Sequence, residues 1–171
     1  MAFDGVIRRH EAAGIRSEAA FSGCGAYRYR LTRVWDDARP RVAWVMLNPS
    51  TADEMRNDPT IERCERRSRA MGCGGYLIVN LHAFRATRPR DLLAAADPVG
   101  PDNDAALAEA ARWSGRVICG WGAHACPDRA ARAASVLRDH GATLFHLGLT
   151  KSGQPRHPLY VAYAVAPQPW D

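Results

Sequence analysis

The run Val42-Ala43-Trp44-Val45-Met46-Leu47 is apolar without a break and stops abruptly at Asn48-Pro49-Ser50-Thr51-Ala52-Asp53. A short continuous apolar run bounded by turn residues reads as a strand buried on both faces. Its polar terminus matters because, in an open α/β sheet, ligands bind in the crevice outside the carboxyl ends of the strands. Asn48 is therefore the first residue to consider as a site residue.

The same pattern recurs along the chain. Tyr76-Leu77-Ile78-Val79 ends in Asn80, Arg116-Val117-Ile118-Cys119 ends in Gly120-Trp121-Gly122, and 143–147 leads into a glycine-rich segment ending at His157-Pro158. Helical segments separate these runs. One opens at Asp58-Pro59, with aspartate at the N-cap and proline at the first helical position, and closes at Gly72-Cys73-Gly74-Gly75. Others are expected near Pro89 to Ala95, from Asn103 to Trp113, and from Pro127 to His140. Strands alternating with helices predict an α/β three-layer sandwich around a mostly parallel four-stranded central sheet.

Before this core the patterning is weak. A short helix is expected around Arg8 to Ala13. The alternation Tyr27-Arg28-Tyr29-Arg30-Leu31 reads as a half-exposed strand that forms a hairpin with Phe21 and its neighbours. The expectation is a single domain over 1–171, with an N-terminal extension or β-hairpin over about 1–25 and a core over 26–165.

At 171 residues and 47% hydrophobic content, the chain is long enough for one sizeable core and short for two. No apolar run approaches the roughly 18 residues that a bilayer span needs. The first residues, with Asp4, Arg8, Arg9 and Glu11, lack the apolar core of a signal peptide. A soluble cytoplasmic protein is expected.

The formal charge of +5 is almost entirely arginine, because Lys151 is the only lysine among 23 basic residues. Arginine's forked donors suit phosphate and carboxylate, which fits a polyanionic partner; coding bias explains the same composition. Arg63, Arg66, Arg67 and Arg69 are expected to form a solvated helix face, balanced by Glu62 and Glu65, with a phosphate-tracking surface as the alternative.

Five cysteines without a C-x-x-C pair argue against a disulfide framework. Cys119, His124 and Cys126 are the only start of a metal site, and a poor one, because Cys119 falls in an apolar strand. No metal and no cofactor are expected. Lys151-Ser152 lacks the remaining spacing of a phosphate loop, and no G-x-S-x-G elbow is present, so neither a nucleoside triphosphatase nor an esterase is supported.

The strand ends carry the chemistry. An asparagine amide offers a donor and an acceptor side by side and matches the edge of a planar heterocycle. Asn80 is the stronger choice, because Asn48 before Pro49 also suits a turn. Proline after His157 holds that residue extended, and a neutral imidazole there is placed to donate to an oxygen that gains negative charge. A surface-loop histidine is the plainer reading. Lys151 is a weaker choice as a point-charge contact to phosphate.

The segments Asn48-Pro49-Ser50-Thr51-Ala52-Asp53, Asp58-Pro59-Thr60, Asn80-Leu81, Arg85-Ala86-Thr87, Gly120-Trp121-Gly122 and Leu147 to Leu159 closely resemble the bacterial family known as domain of unknown function 1643. The resemblance spans about Gly25 to Tyr160. More distantly, the order of strand with Asn-Pro, strand with Asn, strand with Gly and strand with His-Pro is similar to the uracil-DNA glycosylase superfamily.

That similarity implies a uracil-DNA glycosylase-like fold. It also implies that Asn48 positions water, Asn80 reads a base edge and His157 supports the leaving base. Leu159 stands where the superfamily has serine, and no acid flanks Pro49, leaving Asp53 as the acidic substitute. With Pro49, Ser50, Trp121, Lys151 and Arg85 as ligand contacts, the expected activity is hydrolysis of an N-glycosidic bond. The substrate would be a modified or damaged base in nucleic acid or a nucleoside. The alternative is a non-catalytic nucleic-acid or nucleotide-binding module.

Overall fold

Strand Arg41–Met46 (β4) runs through the middle of the molecule and is buried almost along its whole length, as its unbroken apolar sequence requires. The computed structural model describes residues 5–171; Asp4 lies outside the described residues. Strand Gly75–Asn80 (β5) pairs parallel to β4 on one side, and Arg116–Cys119 (β6) pairs parallel on the other. Thr143–His146 (β7) extends the sheet parallel to β6.

The sheet does not stop there. Gly5–Ala12 (β1), Ile15–Ser22 (β2) and Arg28–Val34 (β3) form an antiparallel meander that joins β5 through β3, and Gln168–Pro169 (β8) pairs antiparallel with β7. The order is β1-β2-β3-β5-β4-β6-β7-β8. This corrects the expected fold: the sheet is eight-stranded and mixed, not a mostly parallel four-stranded uracil-DNA glycosylase-like one.

The cause lies in β1. Its residues Gly-Val-Ile-Arg-Arg-His-Glu-Ala have no clear apolar face, because an edge strand is held by cross-strand pairs such as Arg9 with Glu18, at 2.9 Å, rather than by core burial. The expected helix over Arg8 to Ala13 is accordingly a strand.

Alternate residues of β4 serve two cores. Ala43 and Val45 face helices Asn103–Trp113 (α3) and Pro127–Asp139 (α4), while Val42, Trp44 and Met46 face helix Pro59–Ala70 (α1). Trp44 satisfies its indole N–H on the Ser68 hydroxyl at 3.0 Å, so the large ring is buried without an orphaned donor. A short helix, Pro89–Ala94 (α2), lies between β5 and α3.

On the α1 side the layer is completed by residues 158–165. Buried Arg67 donates to the carbonyls of Val161, Ala162 and Val165 at 2.7–3.0 Å, and Arg63 donates to Leu159 at 3.2 Å. Only Arg66 and Arg69 pair with Glu62 and Glu65 as a solvated face would. Half of the arginine face thus fastens the chain's own backbone.

Candidate functional site

Asn80, the last residue of β5, is 1% exposed, and neither its Oδ1 nor its Nδ2 has a hydrogen-bond partner. Its backbone, by contrast, is tied on both sides. Leu81 N–H donates to Met46 at 2.9 Å, and the Asn103 amide donates to the carbonyls of Asn80 and Leu81, each at 2.9 Å. Leaving one buried polar group unpaired costs about 1–3 kcal/mol, so a rigidly presented bare amide is a feature to be explained.

The amide borders a cavity of about 220 Å³ at the carboxyl ends of β4 and β5. Arg28, Asn48, Ser50, Asp58 and His157 share its lining with Asn80. Met46, Leu47 and Ile61 supply an apolar part of the wall.

Asn48 donates both amide hydrogens to carbonyls, Pro49 at 3.0 Å and Ala86 at 2.8 Å. Together with the Ala86 N–H to Pro49 bond at 3.0 Å, this staples the loop after β4 to the loop after β5. Its Oδ1 is the atom left to serve the cavity.

His157 accepts from the Leu159 N–H through Nδ1 at 3.2 Å. Burial holds its pKa below the ordinary histidine value, against an opposing pull from Asp58. A neutral ring whose Nδ1 accepts must carry its proton on Nε2, so His157 is a donor at its other edge. Its placement depends on two glycines: a Cβ at Gly120 would sit 3.0 Å from the Pro158 ring, and one at Gly122, whose φ is 83°, would sit 3.3 Å from the His157 Cβ.

Arg28 reaches the cavity through a register shift. Ala20 faces Arg30 and Phe21 faces Arg28, so one step on β2 spans two residues of β3. The bulge turns Arg28 to the same side as Leu31, and its guanidinium is buried, donating Nη1 to the Ala52 carbonyl. Burial lowers its pKa to about 10, with Asp58 and Tyr76 opposing the shift and Arg85 and Arg33 adding to it; it remains a cation at neutral pH.

The model of the family described as protein of unknown function, DUF1643, matches residues 28–159. The chain belongs to this family. The matched span of this DUF1643 protein contains every residue that lines the cavity and leaves out the β1–β2 hairpin. No curated protein and no solved structure matches the chain.

Other expected site residues of the DUF1643 chain lie elsewhere. Asp53 accepts from Met55 and Arg56 N–H, both at 2.8 Å, and caps a turn outside the cavity. Asp58 is the carboxylate in the wall. It caps α1 through Ile61 N–H at 2.9 Å and takes a second bond from Ala52 N–H at 3.3 Å.

Trp121 is 1% exposed in the α3–α4 core, bonded to Gln154 at 2.7 Å and edge-on to Trp170 at 5.5 Å. Lys151 and Arg85 are exposed, Arg85 donating to the Gly25 carbonyl at 3.2 Å. Pro49 is buried and contributes its carbonyl to the loop staple rather than a lining atom.

Sequence reading did not single out Asp58 and Arg28, which also line the cavity. Asp58 was visible as a helix cap, and a capping carboxylate at the end of a strand-end loop is a usable signal. For Arg28 the alternation pointed outward, and the bulge reversed it.

A larger cavity of about 520 Å³ lies between β1–β3 and α3. Several of its charges pair with one another, Arg30 bridging Glu18 and Glu109 and Arg9 pairing with Glu18. The smaller cavity, whose wall holds the bare Asn80 amide, is the candidate site. Among the described residues no cluster of three or more His, Cys, Asp or Glu is arranged to hold a metal, and no helix is long and apolar enough to cross a membrane. Cys64 and Cys119 are fully buried with thiol pKa values pushed up by burial, and all five cysteines are free.

Proposed function

We propose that this protein hydrolyses the N-glycosidic bond of a modified or damaged base in nucleic acid or in a nucleoside. The observation that carries the reading is Asn80, a buried amide with donor and acceptor both unpaired at the wall of a small cavity. Such an amide pairs with an adjacent N–H and C=O on a planar ring.

The remaining wall groups suit the charges that develop. Breaking the bond from C1′ to the base leaves positive charge on the sugar and sends the bonding pair to the base. The His157 Nε2–H donates to the departing base, and the Asp58 carboxylate faces the cationic sugar. The attacking water supplies its oxygen to C1′ and its proton to an acceptor, for which Asp58 and the Asn48 Oδ1 are the available groups.

The order of strand-end motifs resembles that of the uracil-DNA glycosylase superfamily and supports the same roles for Asn48, Asn80 and His157. Exposed Arg56, Arg85, Arg88 and Lys151 on loops that follow β4, β5 and β7 support a polyanionic partner.

The test is a panel of oligonucleotides carrying modified bases, scored for base release and for retention of the strand. Release that is lost in Asn80→Ala and His157→Ala is expected. Retention without release, insensitive to Asn48→Ala and His157→Ala, would replace the hydrolase with a binding module.

A further inference from the structure

Asparagine amides gather around the ends of β4 and β5, and two of them are held in one orientation. Asn48 donates its amide hydrogens to the Pro49 and Ala86 carbonyls, and Asn103 donates its own to the Asn80 and Leu81 carbonyls. A carbonyl only accepts, so a half-turn of either amide would set oxygen against oxygen and lose both bonds.

Asn80 differs. Its backbone is fixed by the Leu81 N–H bond to Met46 and by Asn103, yet no group among the described residues pairs with its Oδ1 or its Nδ2. A half-turn of this amide exchanges oxygen and nitrogen at nearly the same positions, and no bond is lost in doing so. The protein favours neither orientation by a hydrogen bond, so a ligand that pairs better with one of them selects it.

The order of donor and acceptor is what distinguishes the edges of bases. With the glycosidic nitrogen occupied, a neutral uracil-type ring shows an N–H donor at N3 beside an acceptor at O4. A cytosine-type ring shows an acceptor at N3 beside an amino donor. The first needs the amide oxygen opposite N3, and the second needs the amide nitrogen there. The rest of the wall carries both kinds of group: the Asn48 Oδ1 and Asp58 accept, His157 Nε2 and Arg28 donate, and the Ser50, Thr60 and Thr87 hydroxyls do either.

Resting on the base-reading role of Asn80, we propose that its amide is a reversible reader, which turns to match the base so that the cavity accepts uracil-type and cytosine-type edges alike. The substrate class is thereby neutral rings with a donor and an acceptor side by side, in either order. Rings whose N3 is blocked are excluded.

The experiment titrates the full chain with N1-methylated rings, in which the methyl group stands for the sugar: 1-methyluracil, 1-methylcytosine and 1,3-dimethyluracil, whose N3 has no hydrogen. Binding is followed in 1H–15N spectra. The expected result is that 1-methyluracil and 1-methylcytosine bind within about three-fold of one another, while 1,3-dimethyluracil, which leaves the amide unpaired, binds about ten-fold weaker or more. Asn80→Ala should weaken the first two alike, with thermal unfolding checking that the variant folds.

A larger difference between 1-methyluracil and 1-methylcytosine overturns the reversible reading, and leaves base reading standing where Asn80→Ala weakens the tighter of the two. No binding of either ring, or binding untouched by Asn80→Ala or by the N3 methyl group, overturns the base-reading role and the proposal with it.

Discussion

Gly122 lies against His157 so closely that a Cβ on the glycine would stand 3.3 Å from the histidine Cβ, at a backbone φ of 83° that side chains avoid. Gly122→Ala therefore combines a left-handed strain of about 1–2 kcal/mol with a push on the His157 imidazole. We expect a lower unfolding temperature and a loss of base release larger than the stability change explains. Gly115→Ala, where a Cβ meets nothing within 4 Å, is the control and leaves both unchanged. Thermal melts and release assays on the two variants decide it.

Asp58 and Asp53 separate the site from the turn beside it. Asparagine caps helices about as well as aspartate, so Asp58→Asn should change stability by less than about 1 kcal/mol while it removes the cavity's carboxylate. Base release should fall by about 10²-fold or more, the range of a general acid–base group. Asp53→Asn, which alters only a turn cap, should leave release within a few-fold of wild type.

Histidine burial makes the fold sensitive to acid. Burial depresses the pKa values of His82, His146 and His157, so the unfolded chain takes up protons that the folded one resists. Stability is complete above the unfolded histidine value of about 6.5 and is lost as pH falls below it, at up to about 1.4 kcal/mol per pH unit for each such group. The loss has a structural counterpart: His146 and His157 accept backbone N–H bonds from Gly148 and Leu159 through Nδ1, and a protonated ring has no lone pair there. Chemical denaturation at stepped pH should show this limb, shallower in His146→Gln.

How much of this was legible in the sequence follows from where each residue's signal resides. The parallel strands were readable because burial on both faces leaves an unbroken apolar run, and α1 because Asp58-Pro59 marks its start. The edge strand β1 was not, since cross-strand ion pairs carry no hydrophobic period. Asn80 and His157, which line the cavity, stood out because strand ends and X-Pro segments announce themselves locally. Arg28 was hidden by a bulge that exists only once β2 and β3 are paired. Trp121 stood out because a tryptophan between glycines at a strand end looks like a ligand contact; the structure places it in the core beside Trp170.

Two substitutions test the placements of Trp121 in the core and Lys151 at the surface. Trp121→Ala should cost about 3–5 kcal/mol in unfolding free energy, as truncation of a buried tryptophan does. Lys151→Ala should leave stability and free-base binding unchanged, and lower the salt dependence of oligonucleotide association by about one unit of slope.

The central claim is that Asn80 meets the edge of a base. Its side-chain amide is observable directly in a 1H–15N spectrum of the labelled protein, assigned by comparison with Asn80→Ala. Titration with a free base should shift the Asn80 amide pair saturably and leave the Asn103 amide, whose two hydrogens are already donated to the carbonyls of Asn80 and Leu81, nearly still. An Asn80 resonance that does not move while the base binds elsewhere, or that shows no binding at all, would contradict the account.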